Sequence, residues 1–211
     1  PLIDISEDGV SDYQKRLQEG WKKWFKNFPW NSKAREYLNK EKGLFETRFQ
    51  FTPKSFQEKI STEISKLEQP GLVIIEAPMG LGKTESALEA AEQLAEKTGR
   101  SGLLFGLPTQ ATSNGIFPRI NSWLNSVAQD SEENLSIRLV HGKASLNEEF
   151  TDIPNSNNIN IDESDEGSVF VNQWFSGRKT SALDDFVVAT VDQLLMIALK
   201  QKHLALRHLG I

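Results

Sequence analysis

Eight consecutive residues, Ala77-Pro78-Met79-Gly80-Leu81-Gly82-Lys83-Thr84, combine glycines, a lysine and a hydroxyl at a spacing that suits phosphate. Glycines let backbone N–H groups approach an oxyanion, an ammonium adds a point charge, and a hydroxyl can ligate a hard divalent cation. The string departs from the common G-x-x-x-x-G-K-[ST] pattern at its first position, Ala77, and carries Gly80 as an extra glycine. In this reading Gly80 and Gly82 admit the β-phosphate, Lys83 reaches the β- and γ-phosphates, and Thr84 ligates Mg²⁺. Met79, Leu81 and Glu85 complete the stretch that would line a nucleotide such as ATP. The plain alternative is a glycine-rich turn whose Lys83 is a solvated helix-start charge, although a first-turn lysine opposes the helix dipole unless an anion offsets it.

Such residues need a strand before them and a helix after them. Leu72, Val73, Ile74 and Ile75 form a continuous apolar run and predict a buried strand. From Lys83 onward Ala87, Leu88, Ala91, Leu94 and Ala95 recur at helical spacing, and Thr98-Gly99 closes the helix. That order places the positive end of the helix on one anion site. Further strands are predicted at 103–107, at 135–140 and at 186–189, so the expected fold is α/β with a mostly parallel sheet flanked by helices.

In open α/β sheets ligands meet the residues just beyond the carboxyl ends of the strands. Thr109 and Gln110 follow one such strand and Thr190 follows another, which makes them candidate contacts to a polyanion backbone. The competing reading of Thr109 is a helix N-cap. Arg178 and Lys179 offer two bases that could hold phosphate or simply cover the sheet. Upstream, Phe51 could stack on a base, and Gln57 could offer its amide to the N6 and N7 edge of adenine, since an amide carries a donor and an acceptor together. Asp192 is placed to cap a helix from Gln193 to about His208. Pro118 should kink the helix after Gln110 near its start. His141 reads as a loop histidine.

The chain has 211 residues, a net charge of −5 and no cysteine. Disulfides and thiolate metal sites are therefore excluded. No stretch approaches the length of a membrane span, and the expectation is a soluble, cytoplasmic protein. Charge is unevenly spread: residues 13–48 carry ten Lys/Arg against four acids, whereas 144–168 carry seven acids and no base. Trp21, Trp24, Phe25 and Phe28 share one face of a helix with lysines opposite, which serves packing or a nucleic-acid surface. Asp162, Glu163, Asp165 and Glu166 lack the spacing of a calcium loop and read as a solvated acidic loop. We expect a linker and basic, aromatic helical extension over 1–50 and one α/β domain over 51–211. The start at Pro1 and the end at Ile211 read as those of an excised piece.

Taken in order, F-T-P-K-S-F-Q, A-P-M-G-L-G-K-T-E, L-P-T-Q-A-T-S-N, W-F-S-G-R-K and A-T-V-D-Q-L-L resemble the first RecA-like domain of superfamily 2 helicases. Among these the pattern is most similar to the helicase-nuclease family of type I CRISPR systems, the Cas three family, over roughly 51–211. That resemblance implies an ATP-driven motor that loads on displaced single-stranded DNA opened by a guide-RNA surveillance complex. It also implies that the motor feeds this strand to an HD nuclease domain. By motif, Gln57 would read adenine, Gly80, Gly82, Lys83 and Thr84 would hold the triphosphate and Mg²⁺, and Thr109, Gln110 and Thr190 would touch DNA. The chain ends before a D-E-x-H segment and lacks a second RecA-like domain and an HD ligand set. The expectation is therefore that it neither hydrolyses ATP nor unwinds DNA alone. Another superfamily 2 DNA or RNA helicase, or a docking module without catalysis, is the alternative.

Overall fold

The computed structural model describes residues 30–37, 40–69, 71–156, 167–173 and 184–198. The aromatic and basic helix over 21–28, the acidic cluster Asp162 to Glu166, Arg178 and Lys179, and the helix beyond 198 lie outside the described residues.

Five strands form one parallel sheet: β1 Leu103–Leu107, β2 Leu135–Val140, β3 Asn155–Ser156, β4 Val169–Asn172 and β5 Phe186–Thr190. Their spatial order is β1-β5-β2-β4-β3. Pairing runs Leu107 to Thr190 and Val140 to Ala189, so the carboxyl ends of β1, β5 and β2 share one edge. The helices are α1 Leu44–Phe49, α2 Ser55–Lys66, α3 Lys83–Thr98, α4 Gln110–Ser131, α5 Glu148–Thr151 and α6 Val191–Ala198.

Side-chain periodicity decides how these layers stack. In α4, Phe117, Ile120, Trp123, Leu124 and Val127 recur every three or four residues, and all are buried against the sheet. Leu103, Phe105 and Leu107 of β1 pack on that same cluster. Alternation along a strand turns Gly106 to the other face. There a Cβ would stand 2.4 Å from Leu194 Cδ1 of α6, so a glycine lets this helix lie close on the sheet. Helices therefore cover both faces, as a parallel sheet requires. The α4 helix runs unbroken through Pro118.

Strand β2 is buried on both faces. Between Leu135, Ile137 and Leu139, Ser136 and Arg138 are also buried. Arg138 pairs with Asp184 and with the Asn172 carbonyl, and Ser136 Oγ donates to Asp185 Oδ2 at 2.9 Å. These partners limit the cost of taking the groups from water, although the second oxygen of Asp184, Oδ1, is buried without one.

Two expectations are corrected. Residues 72–75 are not a strand: the segment 71–78 carries no regular structure, and Leu72 is 88% exposed and Ile74 73%. An apolar run becomes a buried strand only if a neighbour pairs its backbone, and among the described residues no strand pairs with it. The last helix begins at Val191, so Asp192 sits inside its first turn rather than at its N-cap. Among the described residues no helix is long and apolar enough to cross a membrane.

Residues 30–37 and 40–49 include side chains packed onto this body. Trp30 is 2% exposed and meets the Phe186 ring edge-on at 5.1 Å. Arg48 on α1 reaches Glu92 of α3 at 2.6 Å and Asp130 of α4 at 3.1 Å. Tyr37 donates to the same Asp130, and Trp123 Nε1 donates to Glu92 Oε2 at 3.3 Å.

Candidate functional site

The glycine loop ends on α3 with two left-handed residues, Gly80 at φ +79° and Gly82 at φ +83°. Gly82 is the residue preceding the first turn of α3, and the first N–H groups of any helix have no partner within it. The local result is a run of outward amides at the positive end of a sixteen-residue helix. Lys83 folds back over the loop, its Nζ donating to the carbonyls of Ala77 and Pro78. Met79 at the tip is 96% exposed, and Leu81, Gly82, Lys83 and Thr84 are half-buried.

Gln57 comes to this loop from α2. It is 1% exposed; its Oε1 accepts from the Lys54 N–H at 2.9 Å and its Nε2 donates to Gly82 O at 3.2 Å. The amide proposed for adenine is thus turned onto the protein's own backbone. Phe51 is 48% exposed and leans on Phe45 at 5.4 Å and on Phe49 at 6.2 Å. Lys54 Nζ also approaches Gly80 O at 3.4 Å. This second lysine at the loop went unnoticed in the sequence, where nothing marks a lysine at a helix start as a loop contact.

Glu85, in the first turn of α3, is buried and pairs with Arg119 of α4. Its other oxygen, Oε2, has no hydrogen-bond partner. Arg119 also escaped the sequence reading, because it lies 34 residues away in the chain.

The second group of candidates occupies the shared carboxyl edge of the sheet. Thr109 precedes α4, and its hydroxyl accepts from the Thr112 N–H at 3.2 Å, so it does cap the helix. Thr109 and Gln110 are exposed, whereas Thr190 is 5% exposed. His141 follows β2 and meets Asn114 Oδ1 through Nε2 at 2.9 Å, while its Nδ1 accepts from the Lys143 N–H. Burial lowers the His141 pKa. Asn147 Nδ2 also donates to Asn114 Oδ1, at 3.0 Å.

The structure therefore assembles two clusters. Gln57, Gly80, Gly82, Lys83 and Glu85 form one, and Thr109, Gln110 and Thr190 line the other. They are joined by α4, along which Arg119 stands about 14 Å from Gln110 at the usual helical rise. The donor set suits an anion: left-handed glycines, helix-end amides and the ammonium groups of Lys83 and Lys54. For a cation the described residues offer no group of three or more carboxylate or imidazole ligands. The Thr84 hydroxyl alone would leave the rest of a Mg²⁺ shell to phosphate oxygens and water.

A parallel sheet with helices on both faces, carrying a glycine-lysine-threonine loop ahead of a helix, defines a RecA-like α/β domain. No family model matches the chain. It is 55% identical over 210 residues to the CRISPR-associated nuclease/helicase Cas3 of Streptococcus thermophilus, spanning 100% of this chain and 22% of that protein. Cas3 of Thermus thermophilus, described as an endonuclease/helicase, is 38% identical over 160 residues, spanning 75% of this chain and 17% of that one. The crystal structure of T. fusca Cas3 with AMPPNP superposes with a TM-score of 0.66 at 26% identity, covering 98% of this chain and 22% of that chain. T. fusca Cas3 with ADP gives 0.69 at 28%, covering 94% and 20%. The chain belongs to the Cas3 family and spans about a fifth of the length of these relatives.

Proposed function

We propose that this chain is the ATP-binding half of an ATP-dependent translocase or helicase that acts on single-stranded DNA in type I CRISPR interference. The observation that carries the reading is the loop itself. Gly80 and Gly82 are both left-handed, and Lys83 is turned onto the carbonyls of Ala77 and Pro78. A triphosphate would compete for that ammonium and lie against the amides at the start of α3. Solved T. fusca Cas3 chains of the same fold carry AMPPNP, ADP or ATP, which supports a nucleotide here.

In this reading Lys83 offsets the charge of the β- and γ-phosphates, and Thr84 ligates Mg²⁺, which when bound neutralises charge that develops on the phosphoryl oxygens. Met79 and Leu81 flank the nucleotide, and Phe51 supplies a ring beside it. Gln57 holds the loop at Gly82, and to read adenine its amide would exchange the Gly82 carbonyl and the Lys54 N–H for the base. Thr109, Gln110 and Thr190 face the strand, with Arg178 and Lys179 as further phosphate contacts. The partners are the guide-RNA surveillance complex and the remaining helicase and HD nuclease domains, and the setting is the cytoplasm.

Nucleotide titration of the intact protein tests this. Wild type should bind ATP in a Mg²⁺-dependent manner, and Lys83→Ala should lose most of that binding while keeping its circular dichroism spectrum. Equal affinity in Lys83→Ala would remove the reading.

A further inference from the structure

The first turn of α3 carries a carboxylate where an anion is expected. Glu85 is two residues beyond Lys83, only 8% exposed, with Oε1 paired to Arg119 and Oε2 buried and unpartnered. A Cβ built on Gly82 would stand 3.2 Å from that free oxygen, so the carboxylate lies directly against the loop. Left uncompensated, it would compete with phosphate for the same helix end and repel it, an effect that solvent around the half-exposed Arg119 screens only in part.

We infer that Arg119 is a positioning residue of the phosphate loop: it neutralises Glu85 and so sets how much negative charge the loop accepts. The inference rests on the nucleotide reading above. Its chemistry is specific to charge. Arg119 does not touch the ligand; it holds the Glu85 carboxylate toward α4 and cancels its field at Gly82. Removing the guanidinium should therefore weaken a triphosphate more than a diphosphate. A merely structural role for Arg119 would weaken both alike.

The test is nucleotide titration of the intact protein with ATP and with ADP. The variants are Arg119→Gln, Arg119→Lys, Glu85→Gln and the double variant Arg119→Gln/Glu85→Gln. Arg119→Gln should lose about fivefold in ATP affinity, with a smaller loss for ADP. Arg119→Lys, which keeps the charge, and the double variant, which removes both charges, should return to within about twofold of wild type. Should Arg119→Gln prove poorly folded, Glu85→Gln alone decides: with the carboxylate gone and Arg119 kept, it should bind ATP at least as tightly as wild type, and a loss of ATP affinity would overturn the inference. If the double variant binds as weakly as Arg119→Gln, or ATP and ADP lose equally, the inference is overturned while nucleotide binding stands. Absence of nucleotide binding by the wild type would instead remove the underlying reading together with this one.

Discussion

Gln57 Nε2 donates to the Gly82 carbonyl at 3.2 Å, and a Cβ on Gly82 would stand 2.4 Å from that same nitrogen. The side chain of α2 and the backbone of the phosphate loop therefore occupy one tight joint. Gly82 is left-handed as well, so Gly82→Ala meets strain and a clash together. It should cost about 2 kcal/mol in urea denaturation and displace Gln57. Gln57→Ala should cost less in stability yet loosen the loop, read as faster hydrogen exchange at Leu81 and Gly82. Unchanged exchange there would mean that the joint does not hold the loop.

Arg48 and Glu92 make the most buried ion pair described, with side chains 2% and 0% exposed. Replacing Arg48 by Met would leave a carboxylate in the core with only Trp123 Nε1 beside it. The expected loss is about 3–5 kcal/mol. Adding Glu92→Gln should recover a large part, because the charge rather than the contact is what destabilises. A loss below 1 kcal/mol for Arg48→Met in chemical denaturation would contradict this.

Glu89 is buried with only neutral partners, Ser61 Oγ at 2.8 Å and Gln93 Nε2 at 3.5 Å, and burial pushes its carboxyl from 4.5 up to about 6. The folded state then holds the proton more tightly than the unfolded chain. Its contribution to stability is fully present below pH 4.5 and is lost as pH rises through about 6. Glu89→Gln should therefore exceed wild type in stability at pH 8 by up to about 2 kcal/mol. The two should converge near pH 4. Thermal melts at the two pH values decide, and a gap independent of pH would show that ionisation is not its source.

Thr109 offers a substitution that separates two roles. Aspartate keeps an N-cap acceptor for the Thr112 N–H and adds a negative charge at the edge of the sheet. Thr109→Asp should hold stability within about 0.5 kcal/mol, whereas Thr109→Ala should lose about 1 kcal/mol. If Thr109 faces a polyanion, Thr109→Asp should also weaken single-stranded DNA binding measured by fluorescence anisotropy. Wild-type binding should fall with salt at a log-log slope of roughly −0.7 per phosphate contacted. Full binding by Thr109→Asp would leave the threonine as a cap alone.

Local signals carried much of this architecture. Apolar spacing gave α4 its buried stripe from Phe117 to Val127, and Gly99 closed α3 in the left-handed conformation expected of it. The glycine-lysine-threonine string likewise marked a helix start by itself. What sequence could not supply was pairing across distance. The run 72–75 has the composition of a core strand, and whether it becomes one depends on a neighbour that no local pattern names. Nothing local marks Arg138 and Ser136 of β2 as buried, because their partners, Asp184, Asn172 and Asp185, are at least 34 residues away. For the same reason Gln57 suggested a free amide. Only the folded chain shows its nitrogen spent on Gly82 and its oxygen on Lys54.

The Arg48 contact bears on how this protein can be divided. Composition suggests a cut before Phe51, where the aromatic and basic segment gives way to the phosphate-loop region. A polypeptide begun there would retain Glu92 and Asp130 but lose the guanidinium between them, and would lose Trp30 from beside Phe186. Dissection at that junction would therefore yield a piece whose interior is short of one cation and one aromatic ring. A polypeptide begun ahead of Trp30 would keep both.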